Sequence, residues 1–189
     1  MIFSPSANKI FAVQIFSTFC VLYTFLFLDW EYIWLALFMY LIYGCIGIAL
    51  TFHRTLAHKS WNFKPLVKKI LIIVASLANA GSPLTWVAIH REHHRHSDTD
   101  KDPLSPEHKG FWHVMYGTMF DKPSLKYAPD LLRDDFCNFI HKNYYLIQVP
   151  IILVLFYFGG LKAVIAGHFA GGGLSWISAS LVNYYNHIS

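Results

Sequence analysis

Residues 10–28 carry no formally charged side chain. As a helix rising about 1.5 Å per residue, that run reaches about 28 Å, enough to cross the hydrocarbon core of a bilayer. A second uncharged run, 32–50, follows the polar break Asp29-Trp30-Glu31. The pair reads as a helical hairpin with both ends on one side, and Trp30, Tyr32 and Trp34 supply an interfacial aromatic belt at its turn. Composition agrees: 55% of residues are hydrophobic and 14% charged, against about 25% charged in a soluble domain. The expectation is an all-α integral membrane protein. The first run is too long for a signal-peptide core and lacks a small-residue cleavage site, so it stays in the protein.

Further along, 144–158 and 161–181 read as a third and a fourth span, separated by Gly159-Gly160, with Pro150 kinking the third. The fourth is rich in glycine, alanine and serine, which lets helices approach closely. Between the second and third spans, 51–143 is mixed and reads as a helical cap. Within it, 66–80 suggests an amphipathic helix lying in the interface, broken by Asn79-Ala80-Gly81-Ser82-Pro83. A helix resumes over 84–94, with Ser82 as N-cap and Pro83 in its first turn.

Of the 15 lysines and arginines, thirteen lie in 51–143, and Lys9 precedes the first span. With four spans all of these share one face, and only Lys162 sits at the other. That asymmetry places the N-terminus, the cap and the C-terminus in the cytoplasm. The net charge of +4 follows from this topology and does not imply a nucleic-acid partner. Cys20, Cys45 and Cys137 have no regular spacing, so they read as small buried hydrophobes rather than a disulfide framework.

The chain has 11 histidines, and five fall into two tight groups, His53-Arg-Thr-Leu-Ala-His58 and His90-Arg-Glu-His93-His94. Neutral imidazole is a transition-metal ligand, and ionisable groups at a membrane edge are costly without a role. His90, His93 and His94 share one helical face. His53 and His58, five apart, point about 140° from each other on an ideal α-helix, so they serve one site only if the helix ends or distorts between them. Asn183 and His187 share a face at the end of the fourth span. There is no His-Glu-x-x-His, which removes the zinc-protease reading. The ligand types leave iron, zinc, copper and nickel open.

The segment GIALTFHRTLAHKSW (47–61) resembles the first histidine box of membrane fatty-acyl desaturases of the delta-9, acyl-CoA desaturase type. GSPLTWVAIHREHHRHSDTDKDPLSP (81–106) is similar to their second box with its flanks, and Gly110-Phe111-Trp112-His113 to the segment that follows. The resemblance implies one desaturase domain over 1–189 with two irons at the cytoplasmic face. Oxygen and two electrons, from a ferredoxin or a small cytochrome, then introduce a cis double bond into a saturated acyl chain on CoA or a lipid. It implies His53, His58, His90, His93, His94 and His187 as iron ligands, with Asn183 holding a metal-bound water. The family's third box, His-Asn-x-His-His, does not occur before Ser189, so the domain is expected to be incomplete at its C-terminus. A related histidine-box hydroxylase and an inactive metal-binding membrane fragment are the alternatives.

Partners for the second imidazole nitrogens are sought among Glu92, Asp98, Asp100 and Asp102. An apolar tunnel for the acyl tail is expected beside Trp61, Trp86 and Trp112, and cations for a headgroup among Arg54, Lys59, Arg91 and Arg95. His96, His108, His113, His141 and His168 are expected to play structural parts.

Overall fold

The computed structural model describes residues 5–121 and 124–188, and the regular structure among them is all helical. Helix α1 is Ala7–Phe27, α2 Trp30–Ala57, α3 Pro65–Ser76, α4 Pro83–His96, α5 Asp135–Lys142 and α6 Leu146–Asn186, with short helical turns between α4 and α5. Three of them, α1, α2 and α6, are long and apolar enough to cross a membrane.

The 41 residues of α6 exceed what one crossing needs. Gly160 breaks the element with φ 63° and ψ −160°, a conformation that only glycine enters without a Cβ penalty. Pro150 sits instead in a first helical turn, where its missing N–H costs nothing, and produces no kink. The two limbs of α6 fold back on each other, since a Cβ built on Gly167 would stand 3.1 Å from Leu155 Cδ1. The runs 144–158 and 161–181 are therefore two limbs hinged at one residue. Lys162 Nζ lies 3.8 Å from an Asp29 carboxylate oxygen and over the Tyr32 ring, so the α6 hinge and the α1–α2 turn sit together at one end.

Helix α2 runs past position 50 to Ala57, so the first residues assigned to the cap belong to the bundle. From Leu41 to Ala57 it is π-helical, with backbone pairing from i to i+5. Two threonines follow the same spacing: Thr51 Oγ1 donates to Ile46 O at 2.7 Å and Thr55 Oγ1 to Leu50 O at 2.8 Å.

Small residues set the helix spacing. Consecutive glycines 171–173 face Met39, Asn79 and Ser17 in turn, so α6 wedges between α1, α2 and the loop after α3. Helix α3 lies along the π-helical part of α2. It exposes Leu66, Val67, Ile70 and Ile73 and buries Ile72, Ala75 and Ser76. The loop 77–82 that turns α3 into α4 is buried throughout. Asn79 Nδ2 in it is buried without a hydrogen-bond partner, whereas its C-terminal residues are bonded from several sides. Ser82 Oγ caps Thr85 N and meets His141 Nδ1 at 2.7 Å, and Gly81 N donates to Tyr144 Oη.

A Cβ on Gly47 would stand 2.9 Å from Ala75 Cα, a backbone contact that cannot swing away. Gly47→Val is expected to destabilise the α2–α3 packing by about 1–3 kcal/mol, the usual range for overpacking. The check is the thermal unfolding midpoint in detergent, against a substitution at the 69%-exposed Leu26 as control.

Candidate metal centre

The C-terminal end of α2 and the last turns of α4 carry the histidines. The His58 amide donates to the His53 carbonyl at 2.9 Å, an i to i+5 bond that stacks the two residues on one face. Their Nε2 atoms are 3.1 Å apart. His58 Nε2 is also 3.1 Å from His90 Nε2, which is 3.1 Å from His94 Nε2. One nitrogen from each of His53, His58, His90 and His94 lies within 4.8 Å of all the others.

These contacts cannot all be hydrogen bonds. A ring nitrogen carries either one proton or one lone pair, yet His58 Nε2 and His90 Nε2 each face two other nitrogens. Burial, followed by the neighbouring histidines His53, His94, His58 and His93, pushes the His90 imidazole down to about 2. Burial and then His58, His93 and His187 lower His94 as well, against Asp102. Neutral rings with lone pairs converging on one point fit a shared cation. Two nitrogens held at about 2.0–2.1 Å from one metal stand about 3 Å apart.

His93 is turned away from that group. It is 2% exposed, and both oxygens of the fully buried Asp102 lie 2.9 Å from its Nδ1. Burial raises Asp102, but the hydrogen bonds from His93 and from the Leu104 and Asp98 amides outweigh it, and the carboxyl is lowered overall. The His93 ring meets the His187 ring at 4.7 Å, and His187 Nδ1 is 2.8 Å from Asp98 Oδ1. Both rings therefore have a carboxylate on Nδ1, the arrangement that fixes a metal-binding Nε2. Asn183 Nδ2 donates to Leu104 O, leaving its amide oxygen as an acceptor beside them. So the expected residues form two adjoining groups, His53/His58/His90/His94 and His93/His187/Asn183. Asp98 and Asp102 bond histidines; among the described residues Glu92 and Asp100 do not.

Arg91 joins the two helices. Its Nε donates to Ala57 O and Nη2 to Leu56 O, satisfying carbonyls that the end of α2 leaves open. Nη1 reaches Tyr127 O, and the fork binds both oxygens of Asp130 at 2.6 and 3.0 Å. Lys59 adds an ion pair to Asp130 at 2.9 Å. Arg91 and Lys59 are thus engaged within the fold rather than turned toward a headgroup. Asp130 lies in the short helix Pro129–Leu132, 39 residues from Arg91, and nothing local in the sequence marks it.

A cavity of about 510 Å³ runs from these histidines between α2 and the second limb of α6, past Trp86 and Ala179 to Gly44 and Tyr40. Trp86 stacks on His90 at 4.9 Å. Trp61 and Trp112, expected in a tunnel, are 50% and 73% exposed and lie outside this cavity, whereas Trp176 lines it. Cys45 also faces it, unlike the buried Cys20 and Cys137. Four of the other five histidines have side-chain partners: His96 with Tyr127, His113 with Asp121, His141 with Ser82 and His168 with Tyr43; His108 donates its backbone N–H to Ser105 Oγ.

A bundle of membrane-length helices thus brings four imidazoles together beside a largely apolar cavity. Residues 28–189 match the Fatty acid desaturase family, and the chain belongs to it. It is 36% identical over 172 residues to the sn-2 palmitoyl-lipid 9-desaturase of Nostoc sp., covering 86% of this chain and 60% of that protein. It is 40% identical over 148 residues to the sn-1 stearoyl-lipid 9-desaturase of Synechocystis sp., covering 76% and 46%. Similarity to the icosanoyl-CoA 5-desaturase of Limnanthes douglasii is 32% over 148 residues, covering 74% and 41%. The chain spans about half the length of the curated relatives it matches.

The Arg91 fork, then burial and Lys59, set the Asp130 carboxyl, and the net effect is well below the usual carboxylate range. A depressed folded value stabilises the fold above the ordinary value of about 3.9 and loses that contribution as pH falls. Asp130→Asn is expected to lower the melting midpoint at pH 7, and the gap to the unsubstituted protein should narrow below about pH 4. Melting curves across pH 3–7 in detergent check this.

Proposed function

We propose that this chain carries the histidine-rich part of a desaturase that introduces a cis double bond into a saturated acyl chain. The observation that supports it most is the meeting of four imidazole nitrogens within 4.8 Å at the mouth of the apolar cavity. In this reading His53, His58, His90 and His94 hold one iron. His93 and His187 belong to a second, with the Asn183 amide oxygen positioned for a water. When bound, iron supplies oxygen activation, the chemistry that side chains alone cannot direct at an unactivated methylene. Two hydrogens of the chain, two donor electrons and two protons together reduce oxygen to two waters. A ferredoxin or a small cytochrome is the electron donor.

The protein's own residues do the positioning. Asp102 and Asp98 fix the tautomers of His93 and His187. Trp86 holds the His90 ring from one side. Apolar walls exclude water and keep the tail extended toward the histidines. The acyl substrate follows from the relatives, which are named as acyl-lipid and acyl-CoA desaturases.

The two limbs of α6, with α1 and α2, make four passes in this reading. The hinge and the α1–α2 turn share the far side, and the histidines lie at the cytoplasmic face. Lys162 as the sole lysine or arginine at that far end among the described residues supports the orientation.

Purified in a membrane mimetic, the chain is expected to carry iron, and His58→Ala or His90→Ala to remove most of it. Asp102→Asn should weaken metal affinity by about 10–100-fold. Metal content indifferent to these changes overturns the ligand set. In a host lacking its own desaturase, lipid analysis should find a new monounsaturated chain; hydroxylated chains in its place would favour a hydroxylase.

A further inference from the structure

His58 is the pivot of the four-imidazole group, with its Nε2 3.1 Å from both His53 Nε2 and His90 Nε2. It is also the residue that caps the C-terminal end of α2. Helix ends fray, so a ligand placed there needs fixing from outside its own helix. The backbone just past it is unusual. Lys59 has φ 55°, in the left-handed region. Helices commonly end on a left-handed residue, but that residue is usually glycine, because a Cβ is penalised there. Ser60 then closes the end, its amide and its hydroxyl both donating to Arg54 O, at 2.9 and 3.0 Å. The lysine in glycine's place is not explained by burial, since its side chain is 62% exposed. What it has is the Asp130 carboxylate, 2.9 Å from its ammonium.

The same carboxylate holds the other side of His58. Arg91 donates to the carbonyls of Leu56 and Ala57, the two residues before His58, while its fork takes both oxygens of Asp130. His58 is therefore bracketed: the backbone before it is tied through one guanidinium, and the residue after it directly, to a single carboxyl group. That group is itself anchored, because Ala128 and Leu131 on either side of the Pro129-Asp130 pair are buried in the core. Tyr127 adds a second tie, its carbonyl accepting from Arg91 and its hydroxyl meeting His96 Nε2 at 2.9 Å.

We infer that Asp130 is a positioning residue for the metal centre, setting the place of His58 through Lys59 and Arg91. The inference rests on the metal-centre reading and adds a control point outside the ligands. Two demands oppose each other at position 59. Glycine would relieve the backbone, whereas lysine ties it to Asp130. A largely exposed ion pair adds little to stability. The fold alone therefore favours glycine or is indifferent, and a role in holding His58 accounts for the lysine.

The test uses the full chain in detergent, titrated with cobalt(II), whose visible absorption reports the coordination sphere. Lys59→Gly is expected to keep or raise the melting midpoint of the metal-free protein and yet to lower cobalt affinity about tenfold, the lower end for changes just outside a ligand set. Asp130→Asn should lower affinity by about 10–100-fold, and Asp130→Glu should recover part of that. In Lys59→Gly and Asp130→Asn the spectrum should move toward that of His58→Ala. A merely structural role makes affinity follow the melting midpoint, so the opposite movements in Lys59→Gly separate the two. Should Asp130→Asn fail to fold, Lys59→Gly decides alone. Unchanged cobalt affinity and spectrum in Lys59→Gly overturn the positioning role and leave the ligand set standing. So does an affinity that tracks the melting midpoint in every variant, or one that falls with no spectral move toward His58→Ala. If the unsubstituted protein binds no cobalt, the ligand set itself falls, and the role of Asp130 falls with it.

Discussion

In an α-helical register, residues five apart point about 140° from each other, and His53 and His58 would face different surroundings. The π-helical pairing of α2, carried as far as the His58 amide on the His53 carbonyl, removes that divergence. Everything around the histidines builds on this change of winding. Because both rings arrive on one face, the single face of α4 that carries His90 and His94 suffices to complete the group. Wide helical winding leaves carbonyls at its end without partners, and Arg91 from α4 takes two of them. The same side chain that compensates the unusual helix thus fixes it against the helix bearing the other histidines.

The bundle was legible because uncharged runs are a coarse signal that bilayer-length helices obey. The first long apolar helix, the Ser82 cap and the break near Gly160 all follow from local composition. What escaped was geometry set by tertiary contact. The continuation of α2 to Ala57 depends on α3 and α4 packing along it. The π-register does have a trace, threonines at 51 and 55 five residues after Ile46 and Leu50, but threonine has many other uses. Tryptophans are equally ambiguous: Trp86 and Trp176 reach the cavity, while Trp61 and Trp112 do not.

At the site, spacing located the residues and the fold sorted them. The His90/His93/His94 pattern reads as one face, yet a helical face is wide enough for its edges to point to different places. Burial of His93 against Asp102 pulls that ring toward His187, while His90 and His94 turn to α2. Asp102 was recognisable by proximity in sequence. Asp130 was not, because its role depends on the short helix Pro129–Leu132 packing back against α4.

The end of the bundle away from the histidines consists of two very short connections, the Asp29 turn and the Gly160 hinge, pinned together by Lys162. Such a surface offers almost no slack peptide. Epitope tags or proteases would find little to engage there without prising the helices apart. Small thiol reagents acting on a single cysteine placed at the exposed Trp30 are the gentler way to learn which compartment that end occupies.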